Sequence, residues 1–201
     1  MTLGTLLVFV ILAILAIGFS IYERRSIHSR QLALIVSLSA VAGIARVPFA
    51  WMPSVQPTTF IVLYSGYVFG PLTGFVVGVS AAVISNCFLL QGPWTIWQMF
   101  CWGMVGISGG FTAYVFKRKS QMVLLILGFL WGFVFGWIMN LWHWLSFVYP
   151  LNWRTWLSVN AASVFFDCAH ALGNVFFILF FGKDLMALLM RFRRKLFHKE
   201  M

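Results

Sequence analysis

The sequence predicts an all-α integral membrane protein with seven spans. Three observations carry this. First, 62% of the 201 residues are hydrophobic and only 9% are charged, where a soluble domain averages about 25% charged residues. A chain this apolar has too little polar surface to face water. Second, the apolar residues fall into successive stretches near the length that crosses a bilayer, about 20 residues each. Third, the 14 Lys and Arg, against 4 Asp and Glu, sit in short segments between those stretches, where topology signals belong. Anionic lipid headgroups are a sufficient partner for that charge. With no basic stretch interleaved with aromatics outside the helices, nucleic-acid binding is not expected.

The spans fall at 3–21, 31–50, 58–71, 72–90, 95–116, 122–144 and 157–182. The first is long for a signal-peptide core and lacks both a basic leader and an A-x-A-like cleavage site, so it reads as a retained helix. The second carries small residues four apart, Ala33/Ser37 and Ser39/Gly43. The third and fourth share too few residues for two full crossings, and Gly70-Pro71 marks a turn between them. Short or broken helices are expected there, and membranes tolerate these only where protein or a cavity covers the backbone. Gly74/Gly78, Gly106/Gly110 and the ridge Gly128, Gly132, Gly136 mark faces where backbones approach closely.

Orientation follows from the basic residues. Arg24, Arg25 and Arg30 follow the first span, Lys117, Arg118 and Lys119 the fifth, and the remaining cluster from Lys183 to Lys199 the seventh. Placing these on the cytoplasmic side leaves only Arg46 and Arg154 at the other face. The N-terminus is then outside and the C-terminus inside. The outer segments 47–57, 91–95 and 148–156 are rich in Pro, Trp, Gln and Asn. They read either as an interfacial aromatic belt with turns or as loops around a binding cavity.

The seventh span carries the most informative pattern. Asn160, Ser163, Asp167, His170 and Asn174 are spaced 3, 4, 3 and 4 apart, so they form one stripe on one helix face. A carboxylate at membrane depth costs about 2.5–3.5 kcal/mol on insertion scales and faces the bundle interior. The stripe is either a polar seam between helices or the lining of a solute cavity. Arg46, Asn86, Gln98 and Asn140 are placed to reach the same space, with Trp94 at its mouth.

Enzymatic chemistry lacks candidates: there is no nucleophile elbow, no HExxH and no paired carboxylates. Asp167 and His170 at i, i+3 are too few to hold a metal, and no cofactor is expected. Cys87, Cys101 and Cys168 lie in apolar stretches without CxxC spacing and read as small hydrophobes. No GxxxxGK[ST] loop is present, so any active transport needs a powered partner.

The stretch 31–116 resembles the substrate-binding S component of energy-coupling factor (ECF) vitamin transporters. The resemblance rests on RVPF (46–49), PSVQPTTFIVLYSGYVFGPLTG (53–74) and SNCFLLQGPWTIWQMFCWGMVG (85–106). It implies a six-helix bundle at 31–182 in a bacterial cell membrane, with 1–22 as an extra N-terminal transmembrane helix and 183–201 as a basic cytoplasmic tail. It further implies a vitamin ligand taken from outside, a transmembrane coupling subunit and two cytoplasmic ATPase subunits as partners, and substrate release by toppling. The family docks its coupling subunit through alanines four apart on the first core helix; Ala33 and Ser37 are the nearest equivalent here. The Trp-rich outer mouth is most similar to cobalamin-specific members, which makes cobalamin the expected ligand. Pantothenate, riboflavin, folate or a queuosine precursor are alternatives, as is a porphyrin-binding membrane sensor.

Overall fold

The computed structural model describes residues 3–25, 28–116 and 121–197. Among them are seven α-helices and no strand: α1 (Leu3–Glu23), α2 (Ser29–Ile44), α3 (Thr58–Phe69), α4 (Pro71–Leu89), α5 (Trp94–Val115), α6 (Gln121–Phe147) and α7 (Trp153–Phe197). A single 3-10 turn, Val47–Phe49, follows α2. The basic segment Lys117, Arg118 and Lys119, and Lys199 near the C-terminus, lie outside the described residues. Five segments are long and apolar enough to cross a membrane: α1, α2 with its 3-10 turn, α4, α6 and α7.

The two exceptions follow from sequence. α5 has the length for a crossing, but Gln98, Ser108 and its glycines dilute its apolar character. α3 has 12 residues, about 18 Å at 1.5 Å per residue, against a hydrocarbon core about 30 Å thick. Every residue of α3 except Phe69 is buried, so other helices cover its backbone ends and lipid never meets them. The chain reverses at Gly70, whose φ of +99° is open to a residue without Cβ. Pro71 then starts α4 at a position that needs no N–H.

Glycines let α3, α4 and α5 touch backbone to backbone. A Cβ on Gly66 would strike the Gly106 carbonyl, and one on Gly106 would strike Gly74. These three residues form one contact point that any side chain would push apart, which is how small-residue faces hold membrane helices together. The α6 ridge does the same toward α7: Gly128 faces Ile178, Gly132 faces Ala171, and Gly136 faces the Asp167 carboxylate. α1 lies outside this core, against α4, α5 and α6. Only Ile11 and Leu15 of α1 are buried, and Phe19 meets Phe75 edge-on at 5.8 Å.

α7 runs as one helix of 45 residues and does not end near 182, so the segment expected as a tail is a helical extension at least to Phe197. The reason is in its pattern. No Pro or Gly follows Gly182, and Leu185, Leu189, Phe192 and Leu196 recur at helical spacing, giving an apolar stripe that lines a cleft beside α2. Leu189 is buried. Arg194 and Lys195 stand in the last turn, where cations offset the helix dipole.

The bundle has two unlike ends. The ends of α1, α3 and α7 meet the starts of α2 and α4 at a basic end. The 47–57 segment, the α4–α5 connection and the α6–α7 connection form an aromatic end. There Trp51 and Trp153 are exposed, Trp94 packs edge-on against Trp142 and Trp144 against Trp156.

A polar cavity between α2, α5, α6 and α7

A cavity of about 540 Å³ opens below the 47–57 segment. Its polar lining is Arg46, Ser54, Gln56, Gln98, Asn140, Ser163, Asp167 and His170, and its aromatic lining is Phe49, Phe135 and Phe166. Five residues singled out from sequence as ligand candidates therefore line a single space. Asn86 and Asn160 stand one layer behind it and hold its walls. Trp94 is not part of it: its ring is committed to Trp142, because the Gly92-Pro93 turn starts α5 facing α6.

Arg46 follows α2, caps the start of the 3-10 turn and turns inward. Its Nε donates to Gln56 Oε1 at 2.6 Å, and its Nη1 donates to Asn86 Oδ1 at 2.9 Å and Ser85 Oγ at 3.2 Å. The guanidinium sits over the Trp102 ring at 5.3 Å from the centroid, a cation–π contact. Arg46 does not pair with Asp167, although both line the cavity. Asn86 in turn donates to Gln98 Oε1 at 2.7 Å and Thr95 Oγ1 at 3.0 Å. Three helices are thereby locked around one guanidinium.

On the opposite wall, Ser163 Oγ donates to Asp167 Oδ2 at 3.0 Å. Asn140 Nδ2 reaches Ser163 Oγ at 2.7 Å and Asn160 Oδ1 at 3.1 Å, tying α6 to the α7 stripe. Further along α7, Asn174 donates to the Gly128 carbonyl at 2.9 Å. Asn174 and Asn160 thus belong to the seam between helices, while Asp167 and His170 belong to the cavity. The stripe is both things at once, divided by depth.

The floor was not legible in the sequence. Thr59 Oγ1 lies 2.9 Å from His170 Nε2 and accepts from Trp102 Nε1 at 3.1 Å. A hydroxyl has one proton and two lone pairs. With Trp102 donating, every group is satisfied when Thr59 gives its proton to Nε2 and His170 is neutral with its proton on Nδ1, a tautomer assigned from the network. Phe135 closes the floor, 5.0 Å from Trp102 and 5.1 Å from His170 between ring centroids. Thr59 lies in a β-branched apolar run and carries no periodic polar signal; only the fold places it beneath His170.

After these bonds, a definite set of groups remains uncommitted among the described residues. A guanidinium has five N–H donors, and both on Arg46 Nη2 are unused. Gln98 Nε2, His170 Nδ1 and Asp167 Oδ1 are also without a protein partner. The cavity therefore offers donors from two sides and an acceptor from a third, between aromatic walls. That is the chemistry of a site for a flat, heteroatom-bearing ligand.

The 47–57 segment roofs the cavity with Ala50, Met52, Pro53 and Ser54. The 91–95 segment is absent from the lining: Gln91 Nε2 donates to the Val83 carbonyl, and Thr95 Oγ1 donates to Gln91 Oε1. Ala33 and Ser37 lie elsewhere, on an apolar cleft of about 860 Å³ between α2 and α7.

A family model described as the ECF-type riboflavin transporter, S component, matches residues 27–187. The match covers α2 through most of α7 and begins after α1. Comparison with curated proteins and with solved structures gave no match.

Proposed function

The chain belongs to the S-component family of ECF-type vitamin transporters, and on that premise we propose that the cavity beneath the 47–57 segment is its vitamin site. S components bind a vitamin and work with a membrane T component and ATPases, and this chain is a multi-pass protein of the cell membrane. In our reading its aromatic end and N-terminus face outside, the basic end faces the cytoplasm, and the ligand enters past the 47–57 segment. Delivery follows by toppling against the coupling subunit, for which the small-residue face at Ala33 and Ser37 is the docking candidate.

The observation that carries the reading is the cavity itself. Its volume, about 540 Å³, falls within the range of about 300–1,000 Å³ typical of sites for single small ligands. Phe49, Phe135 and Phe166 supply flat apolar surface, and Arg46, Gln98, Asp167 and His170 supply the polar contacts that fix orientation. A flavin-sized vitamin matches this division into a planar ring and a polar edge, and we favour riboflavin or a close relative.

Cobalamin is the second reading, and one feature favours it. A neighbouring cavity of about 410 Å³ shares Asn140, Ser163 and Phe166 with the first and continues toward the Trp-rich end along His143 and Thr155. A corrinoid exceeds the inner cavity and would have to occupy both. Titration of the purified chain with riboflavin and with cyanocobalamin, read by tryptophan fluorescence, separates the two. Saturable quenching by riboflavin alone supports the first reading, and saturable quenching by cyanocobalamin alone supports the second. Saturation by neither, in a chain that co-purifies with its ATPase partners, would remove both vitamins.

A further inference from the structure

The basic end holds a second cavity, of about 580 Å³, between the end of α1, the start of α2, the α3–α4 turn and the end of α7. We propose that it is a site for the headgroup of an anionic phospholipid. Arg24, Arg25, Tyr22, Gln31 and Thr73 supply its polar lining, and no acidic residue among the described residues lines it. Among the described residues the two guanidinium groups therefore have no counter-ion within the cavity. Both are exposed, and neighbouring Glu23 is exposed but outside the lining.

A second observation points to a ligand. The Tyr22 side chain lines the cavity, and its hydroxyl is enclosed with no hydrogen-bond partner among the described residues. A buried polar group without a partner is destabilising, and a phosphate oxygen in the cavity that Tyr22 lines is an acceptor that would relieve it. Arginine suits phosphate because its planar fork donates two parallel hydrogen bonds.

The rest of the wall decides between a lipid and a free anion. Leu34, Leu72 and Leu196 line the same cavity. A free phosphate would contact only the polar rim and leave this surface wet. A phospholipid has both halves, and its glycerol and first methylenes fit against leucines. Basic residues at a membrane interface meet such lipids by electrostatic attraction. α1 and the two residues that follow it lie outside the span matched by the family model, yet they contribute Tyr22, Arg24 and Arg25. The site is thus an addition made by the extra helix, and it anchors that helix to the core through a lipid.

The test uses the full chain purified in detergent, with native mass spectrometry in the presence of phosphatidylglycerol, phosphatidylcholine or inorganic phosphate. Phosphatidylglycerol should be retained in preference to phosphatidylcholine, and phosphate should not compete for it at matched concentration. The double variant Arg24→Gln/Arg25→Gln should bind phosphatidylglycerol about tenfold more weakly or worse. Arg194→Gln/Lys195→Gln, which removes the same charge outside the cavity, should bind it as the parent does. Folding of each variant is checked by its melting temperature in phosphatidylcholine micelles. Equal retention of the two lipids, equal losses in the two double variants, or displacement by phosphate alone would each overturn the proposal.

Discussion

Replacing Thr59 with Val keeps the shape of the side chain and deletes one hydroxyl. That hydroxyl accepts from Trp102 Nε1 and lies 2.9 Å from His170 Nε2. The two partners lose unequally. His170 lines the cavity, so water can replace Thr59 there. Trp102 is fully buried at 0% exposure, so its N–H is left without a partner. An orphaned buried donor costs about 1–3 kcal/mol. For a chain of this size each kcal/mol shifts the melting temperature by about 2–4 °C, so Thr59→Val should melt roughly 2–12 °C lower. Thr59→Ser keeps the hydroxyl and loses one methyl, so it should recover most of that shift. Melting followed by tryptophan fluorescence in one detergent measures both. Ligand affinity should fall in Thr59→Val as well, because Trp102 carries the Arg46 guanidinium on its ring. A Val variant as stable as the parent, or a Ser variant as unstable as Val, would refute the assignment of Thr59 as the keystone of the floor.

Two further predictions concern the chain as a whole. Deleting residues 1–22 should leave vitamin binding within about threefold of the parent, since α1 contributes no residue to the cavity below the 47–57 segment and a threefold change is under 1 kcal/mol; isothermal titration of the folded, inserted deletion would show otherwise by a complete loss. Single cysteines at position 2 and at position 199 should label from opposite sides of the membrane in a background lacking the three native cysteines, and labelling from one side would exclude an odd number of crossings.

Much of the fold could be read from the chain because lipid constrains backbone so tightly. Each span had to be helical, and the turn at Gly70-Pro71 was visible because only glycine suits that backbone and only proline starts a helix without a donor. α3 was legible as short, and its burial explains why a short helix survives. The helix extends past the expected span end at 182, into the segment read as a basic cytoplasmic tail, because Leu185, Leu189, Phe192 and Leu196 continue the apolar stripe beneath its basic residues.

The cavity was legible to the extent that its groups are costly. Asp167, His170 and Arg46 stand out because an ionisable residue inside a membrane needs a reason. Gln56, Thr59, Trp102 and Phe135 do not stand out, since hydroxyls, amides and aromatics are ordinary in such helices. The part of Thr59 and Trp102 depends on α3 packing against both α5 and α7, and the close approach of α3 to α5 is set by Gly66, Gly74 and Gly106, which carry no chemistry of their own. Trp94 stands outside the cavity lining for the opposite reason: a tryptophan at a loop is conspicuous, but its ring partner is Trp142.

The most direct test is the dissociation constant of the bound vitamin for Asp167→Asn and for His170→Ala, measured beside the melting temperature of each unliganded variant. Asn preserves shape and hydrogen bonding while removing the charge, and Ala removes the imidazole that lines the cavity. If the cavity is the vitamin site, affinity should fall about tenfold or more in each variant, the equivalent of at least about 1.4 kcal/mol, with the fold retained. An unchanged dissociation constant in both variants, with only the melting temperature altered, would show that these residues form a structural seam and that the vitamin binds elsewhere.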